Sequence, residues 1–159
     1  MDKALWLRQD EPPTRCYGQG GRQVRTSADY GDVYDHFTVI YEWADGSKTF
    51  ASTRQMAGCF NETQDYVFGT DGTAKILAHE IQGKQPWKYE YGGKGAKPNM
   101  YDLEHIALFK SIREGRPLNN GDYMCKSTLM AIMGREACYS GKTITWEEAM
   151  ASQQSLGTK

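Results

Sequence analysis

Residues 35–55 read DHFTVIYEWADGSKTFASTRQ. Phe37, Val39, Tyr41 and Trp43 alternate with His36, Thr38, Ile40 and Glu42, the period of two that marks a strand with unlike faces. Asp45-Gly46 tolerates positive φ and reads as a two-residue hairpin turn. The partner strand is then Ser47 to Gln55. Counted from that turn, Trp43 faces Lys48, Tyr41 faces Phe50, Val39 faces Ser52 and Phe37 faces Arg54. That face is largely aromatic and aliphatic and is expected under helices. The other carries His36, Thr38, Ile40 and Glu42 opposite Gln55, Thr53, Ala51 and Thr49. It is small and half polar, so it is expected to be solvated or to meet another sheet.

Upstream, residues 3–8 look like the end of a helix stopped by Pro12-Pro13. The segment shows no capping residue followed by a full amphipathic turn, so the chain is expected to enter that helix partway, as a piece of a longer parent. Residues 14–25 read as an irregular, glycine-rich strand, and Ser27 to Asp32 as a loop. Downstream, Tyr66 to Gly69, Asp71-Gly72 and Ala74 to Ala78 form a second hairpin. A short strand is expected near Trp87 to Tyr91, then a flexible connection at Gly92, Gly93 and Gly95. From Asn99, an N-cap residue, the pattern turns helical. Leu103, Ile106, Phe109 and Ile112 make its apolar stripe, and Gly115-Arg116-Pro117 ends it. A second helix spans about Asp122 to Tyr139 with Leu129, Ile132, Met133 and Ala137 on one side. Gly134 within it points to close packing. Thr145-Trp146-Glu147-Glu148 is a capping-box pattern opening a last short helix. Strands followed by helices argue for an α+β fold with helices on one face. One domain is expected over residues 1–152, with a fraying tail at 153–159.

Composition sets outer bounds. The chain has 159 residues, 39% hydrophobic and 25% charged, so it can bury a core without staples. Lys+Arg is 19 against Asp+Glu 20, a net charge of -1, which argues against non-specific nucleic-acid binding. No apolar run reaches the length of a membrane span. Cys16, Cys59, Cys125 and Cys138 contain no C-x-x-C pair and are expected as buried or partly buried free thiols. His36, His79 and His105 lack the i,i+4 spacing of a zinc helix, so no metal site is assigned.

Gly18-Gln19-Gly20-Gly21-Arg22-Gln23 resembles a dinucleotide fingerprint but follows no clean strand and opens no helix. Arg22 and Arg25 suit carboxylate or phosphate contacts, or structural ion pairs. Asp35 and His36 are strand neighbours pointing to opposite faces, so a direct Asp–His dyad is not expected; His36 lines the open sheet face. Tyr101, Asp102 and His105 share one helix face and form the most catalytic-looking cluster.

GGRQVRT (20–26), YDHFTVIYEW (34–43), NMYDLEH (99–105), residues 112–142 and ITWEEAM (144–150) together resemble the C-terminal half of glucose–fructose oxidoreductase/inositol dehydrogenase-type (Gfo/Idh/MocA) proteins, a bacterial dehydrogenase subgroup in particular. The resemblance implies an open, mainly antiparallel mixed sheet with helices packed on one face. It implies a parent NAD(P)-dependent oxidoreductase whose Rossmann half, with its glycine and lysine motifs, is absent here. The family's Asp-x-x-x-His pair would fall just before Asp2. No cofactor is therefore assigned to this chain, NAD or NADP being implied for the full-length parent, and no catalytic residue is assigned. The expected partners are a small sugar or polyol and further copies of the chain through the open sheet face. His105, Tyr101, Arg22, Arg25 and His36 are the candidate substrate-binding residues. The compartment is left open. Two other readings compete: a stand-alone dimerisation module, and a small sugar isomerase or hydrolase using Tyr101, Asp102 and His105.

Overall fold

The structure is a computed structural model and describes residues 1–91 and 99–155. The connection expected at Gly92, Gly93 and Gly95, and the end of the tail, lie outside the described residues. The chain divides into two compact units, residues 1–58 with 119–159, and residues 59–118.

The first unit holds α1 (Asp2–Leu7), β1 (Arg15–Gly21), β2 (His36–Glu42), β3 (Lys48–Arg54), α3 (Gly121–Ser140), β8 (Ile144–Thr145) and α4 (Trp146–Ala151). Its sheet has the order β3-β2-β1-β8, all antiparallel. The glycine-rich stretch at 18–21 is the end of β1, as expected. The two-residue edge strand β8 has too little sequence to show periodicity and is legible only from its pairing with Arg15 and Cys16.

The hairpin register differs from the expected one by a residue. Tyr41 pairs with Thr49, Ile40 with Phe50 and Val39 with Ala51. Trp43 N–H donates to the Ser47 carbonyl at 3.0 Å, and Gly46 N–H to the Trp43 carbonyl at 3.0 Å. The loop is thus three residues, Ala44 to Gly46, with Gly46 at φ 83°. Asp45 Oδ1 accepts from the Ser47 N–H at 2.9 Å and holds this longer turn. A single added residue turns the partner strand over. Thr49, Ala51 and Thr53 therefore lie on the helix side, and Lys48, Phe50, Ser52 and Arg54 on the open face.

α3 covers the other face. Its buried residues are Met130, Met133, Gly134, Ala137 and Cys138, packed with Cys16, Val39, Tyr41 and Trp43. Of the expected stripe, Met133 and Ala137 are in the core, whereas Leu129 is half-buried and Ile132 exposed. The buried set follows i, i+3, i+4, i+7, i+8, and its small members bring the helix axis close to the sheet. The Tyr41 hydroxyl donates to the Met130 carbonyl at 3.0 Å. The short α1 is tied down by Leu5, fully buried, and by the Tyr123 hydroxyl on the Asp2 carbonyl at 2.9 Å.

The capping box at Thr145 forms as the sequence predicts. Thr145 Oγ1 accepts from the Glu148 N–H at 3.1 Å, and Glu148 Oε2 from the Thr145 N–H at 2.8 Å. Replacing Thr145 by alanine is expected to cost about 1 kcal/mol in a urea melt, with the slope of the transition unchanged.

The second unit holds β4 (Tyr66–Phe68), β5 (Gly72–Lys75), β6 (Glu80–Gly83), β7 (Trp87–Lys88) and α2 (Met100–Arg113). The sheet order is β4-β5-β6-β7, again antiparallel. The sequence reading missed β6, whose four residues show no alternation. α2 begins at the expected Asn99 cap, whose side chain accepts from the Tyr101 N–H at 3.1 Å. Its apolar stripe is not buried: Leu103, Ile106, Phe109 and Ile112 are all at least half exposed, and only Ser111 is buried.

Candidate functional site

The open face of the first sheet is a row of paired positions. Arg15, Tyr17, Gln19 and Gly21 of β1 stand opposite Glu42, Ile40, Thr38 and His36 of β2. Those in turn stand opposite Lys48, Phe50, Ser52 and Arg54 of β3. Phe50, at the centre beside Ile40, is 70% exposed.

One end of this face is an ion cluster. Glu42 receives Arg15 Nε at 2.6 Å, Lys48 Nζ at 2.5 Å and the Tyr17 hydroxyl at 3.3 Å. Hydrogen bonds from Lys48 and Arg15 outweigh desolvation and hold its carboxyl at about 2.

The other end carries a dyad that the sequence reading did not expect. Asp35 lies just before β2 begins, and its side chain turns inward and is fully buried. Oδ2 accepts the backbone N–H groups of Gln23, Val24 and Arg25 at 2.8, 2.8 and 3.0 Å. Oδ1 stands 2.8 Å from His36 Nδ1. Asp35 is a bend residue at the strand's entry: its backbone still bonds to both flanking strands, its N–H donating to the Gly21 carbonyl at 2.9 Å and its carbonyl accepting from the Gln55 N–H at 2.8 Å, and at this bend the expectation of opposite faces does not hold. Burial raises the Asp35 pKa, but the N–H groups of Arg25 and Val24, His36 and the N–H of Gln23 together pull it well below the usual carboxylate range. An ionised carboxylate can only accept, so His36 Nδ1 carries the proton and donates it. Nε2 makes no hydrogen bond among the described residues.

Asp35 and Glu42 both have lowered folded-state pKa values. Their contribution is complete above the ordinary carboxylate range near 4 and is lost as pH falls through the folded values. Circular dichroism is therefore expected to show stability flat from pH 7 to about pH 5, then falling steeply towards pH 2.

The remaining candidates fall into two groups. The Arg22 guanidinium donates to the Gly31 carbonyl. Arg25 Nη2 donates to Gln55 Oε1 at 2.7 Å, and its guanidinium sits 5.9 Å from the Tyr30 ring centre. Both arginines brace the 22–34 loop that Asp35 pins. Tyr101 and His105 belong to the second unit. His105 Nδ1 is 2.7 Å from the Tyr101 carbonyl oxygen, and its ring is 6.4 Å from that of Phe109. Among the described residues no hydrogen bond or ion pair joins Asp102 to His105, so the expected triad does not assemble.

All four cysteines are free. Cys16 and Cys138 are buried, whereas Cys59 and Cys125 are exposed, against expectation, because they lie outside the packed faces. Burial pushes the Cys16 thiol up to about 12. No group of three His, Cys, Asp or Glu side chains that could hold a metal occurs among the described residues. A Cβ at Gly18 would meet the Thr38 carbonyl oxygen at 2.6 Å and Cys138 Sγ at 2.9 Å. Gly18 to Gly21 thus end a packed strand, and Arg22 and Gln23 follow in an exposed loop that opens no α-helix. No helix among the described residues is long and apolar enough to cross a membrane.

This arrangement, an α+β unit with an open antiparallel sheet backed by helices, recurs as part of larger solved proteins. No family model and no curated protein matched the chain. Solved structures did. An aldose-aldose oxidoreductase from Caulobacter crescentus, complexed with glycerol, superposes with a TM-score of 0.67 at 17% identity, covering 91% of this chain and 44% of its own. Myo-inositol 2-dehydrogenase from Lactobacillus plantarum gives 0.63 at 18%, covering 91% and 45%. A levoglucosan dehydrogenase in complex with NADH and levoglucosan gives 0.62 at 16%, covering 91% and 47%. The chain therefore has the Gfo/Idh/MocA-type fold expected from its sequence motifs, and spans less than half the length of the structures it matches.

Proposed function

We propose that this chain is the substrate-side and assembly portion of an NAD(P)-dependent oxidoreductase acting on sugars or polyols. The observation that carries the reading is the likeness over 91% of the chain to enzymes solved with glycerol or with NADH and levoglucosan. In this reading hydride transfer belongs to a dinucleotide-binding half that is not in this sequence, since the cofactor carries that chemistry. Residues 1–152 act as the substrate and assembly domain. His36, Arg22 and Arg25 on the first unit, and Tyr101 and His105 on the second, offer hydrogen bonds to hydroxyl groups. The open face joins copies of the chain. Phe50, Ile40 and Tyr17 supply an apolar centre, and the charged ends form its rim.

The test is calorimetric titration of the chain with NAD(H) and NADP(H), with its mass followed by light scattering. No nucleotide binding and a dimer or larger species are expected. Micromolar nucleotide binding would overturn the reading. The exposed Phe50 also suits a dimerisation module without catalysis. Restoring dehydrogenase activity by adding a Rossmann half from a related enzyme separates the two.

A further inference from the structure

We propose that a strip of rings on the second unit, His79 with Trp87, Tyr89 and Tyr91, is a binding platform for the ring of an uncharged cyclic sugar. It is separate from the candidate residues above and needs no dinucleotide half. The register builds it. Ile81 of β6 pairs with Trp87 of β7, and the Tyr89 N–H donates to the His79 carbonyl at 3.0 Å. Side chains two apart share a face, so Trp87 and Tyr89 stand in one row, with Ile81 and His79 opposite. Ring contacts carry the row on to Tyr91. The Trp87 and Tyr89 ring centres are 6.3 Å apart, and those of Tyr89 and Tyr91 4.7 Å. The His79 ring lies 6.2 Å from Tyr89 and 5.7 Å from Tyr91. Trp87 and Tyr89 are both about half exposed.

The imidazole is held in place. His79 closes the 3-10 turn Ile76–Ala78 in the left-handed region, at φ 51°. Its Nδ1 is hydrogen-bonded to the Tyr91 hydroxyl, and its Nε2 makes no hydrogen bond among the described residues. The chemistry of the strip selects the ligand. It offers aromatic faces, phenol hydroxyls and an imidazole nitrogen, and no carboxylate, ammonium or guanidinium. The charged residues of these strands form the neighbouring row, Lys75 opposite Glu80 and Glu80 opposite Lys88, which points to the other face of the sheet. The strip thus supplies no fixed charge to a nucleotide or a sugar acid. The negative face of an aromatic ring suits the polarised C–H groups of a sugar ring, and the phenols and imidazole suit its hydroxyls. A few polar groups set among aromatic ones is the make-up of a small-molecule site.

The experiment follows proton–nitrogen correlation spectra of the isotope-labelled full chain during titration with D-glucose. A second titration uses sorbitol, an acyclic polyol with no ring face. Glucose is expected to shift the Trp87 indole N–H and the His79 ring signals together and saturably, and to bind at least about fivefold more tightly than sorbitol. Tyr89→Ala and Trp87→Ala should each weaken glucose binding about fivefold, the scale of one lost ring contact, with the amide signals of β5 and β6 kept in place. Either variant suffices should the other not fold. His79→Asn keeps a residue that tolerates the left-handed region and should weaken binding as well. Glucose that shifts neither signal, that binds no better than sorbitol, or that binds the folded alanine variants as tightly as the parent chain overturns the platform. The oxidoreductase reading stands or falls separately, on the nucleotide titration and the added Rossmann half.

Discussion

Replacing Asp35 by alanine is expected to loosen the 22–34 loop and lower the melting temperature by roughly 10 °C, the scale for losing a buried hub in a chain of this size. The substitution removes the acceptor for three successive N–H groups and for His36 Nδ1 at once. No other hydrogen bond among the described residues serves those N–H groups, so they must find water or remain unpaired. The loop also loses the anchor that sets Arg25 against Gln55. Hydrogen exchange checks this directly: the amides of Gln23, Val24 and Arg25 should exchange far faster in the variant while those of β2 and β3 keep their protection. Asp35→Asn should recover only part of the loss. Its carbonyl oxygen can still accept, but its amino group cannot. Unchanged protection at 23–25 in the alanine variant would show that the carboxylate does not pin the loop.

The second large effect is expected at Gly134. A Cβ there would lie 2.0 Å from the Tyr41 hydroxyl oxygen, 3.0 Å from its Cζ and 3.2 Å from Val39 Cγ1. Alanine gains about 1 kcal/mol of helix propensity. Overpacking in a dense core costs about 3 kcal/mol when the neighbours cannot move. Tyr41 is fixed by packing and by its bond to the Met130 carbonyl, so the cost wins, leaving a net loss of about 2 kcal/mol. A double-mutant cycle gives the sharper test. Tyr41→Phe alone should cost about 1 kcal/mol, the worth of one buried hydrogen bond. Combined with Gly134→Ala it should cost less than the sum, because the nearest clashing atom is gone. A Gly134→Ala variant more stable than the parent would mean that α3 can lift from the sheet without penalty.

Much of the fold was legible from local signals. The alternation across 36–43 marked β2, Asn99 marked the start of α2, and Thr145 with Glu148 marked α4, because each rests on periodicity or capping within a few residues. Gly134 was legible too, as a small residue where a helix must approach closely. The strands that went unread, β6 and β8, have four and two residues. Elements that short are created by their partners, and no window of sequence contains the pairing.

The candidate site was less legible. His36 was placed on the open face correctly, but its partner was missed. Asp35 gains its role from N–H groups ten to twelve residues upstream, brought to it by a loop. The identity of Phe50 as the exposed centre of the open face turned on one residue of loop length, since period two makes every register error a change of face. Glu42 likewise reads as an ordinary polar strand residue until Arg15 and Lys48 are seen on the flanking strands.

The sequence by itself determined the longer strands and where the helices begin, because those depend on neighbours along the chain. The tertiary structure alone decided which side of β3 meets α3, which carboxylate orients His36, and which polar groups share the open face, because those depend on contacts between residues distant in sequence.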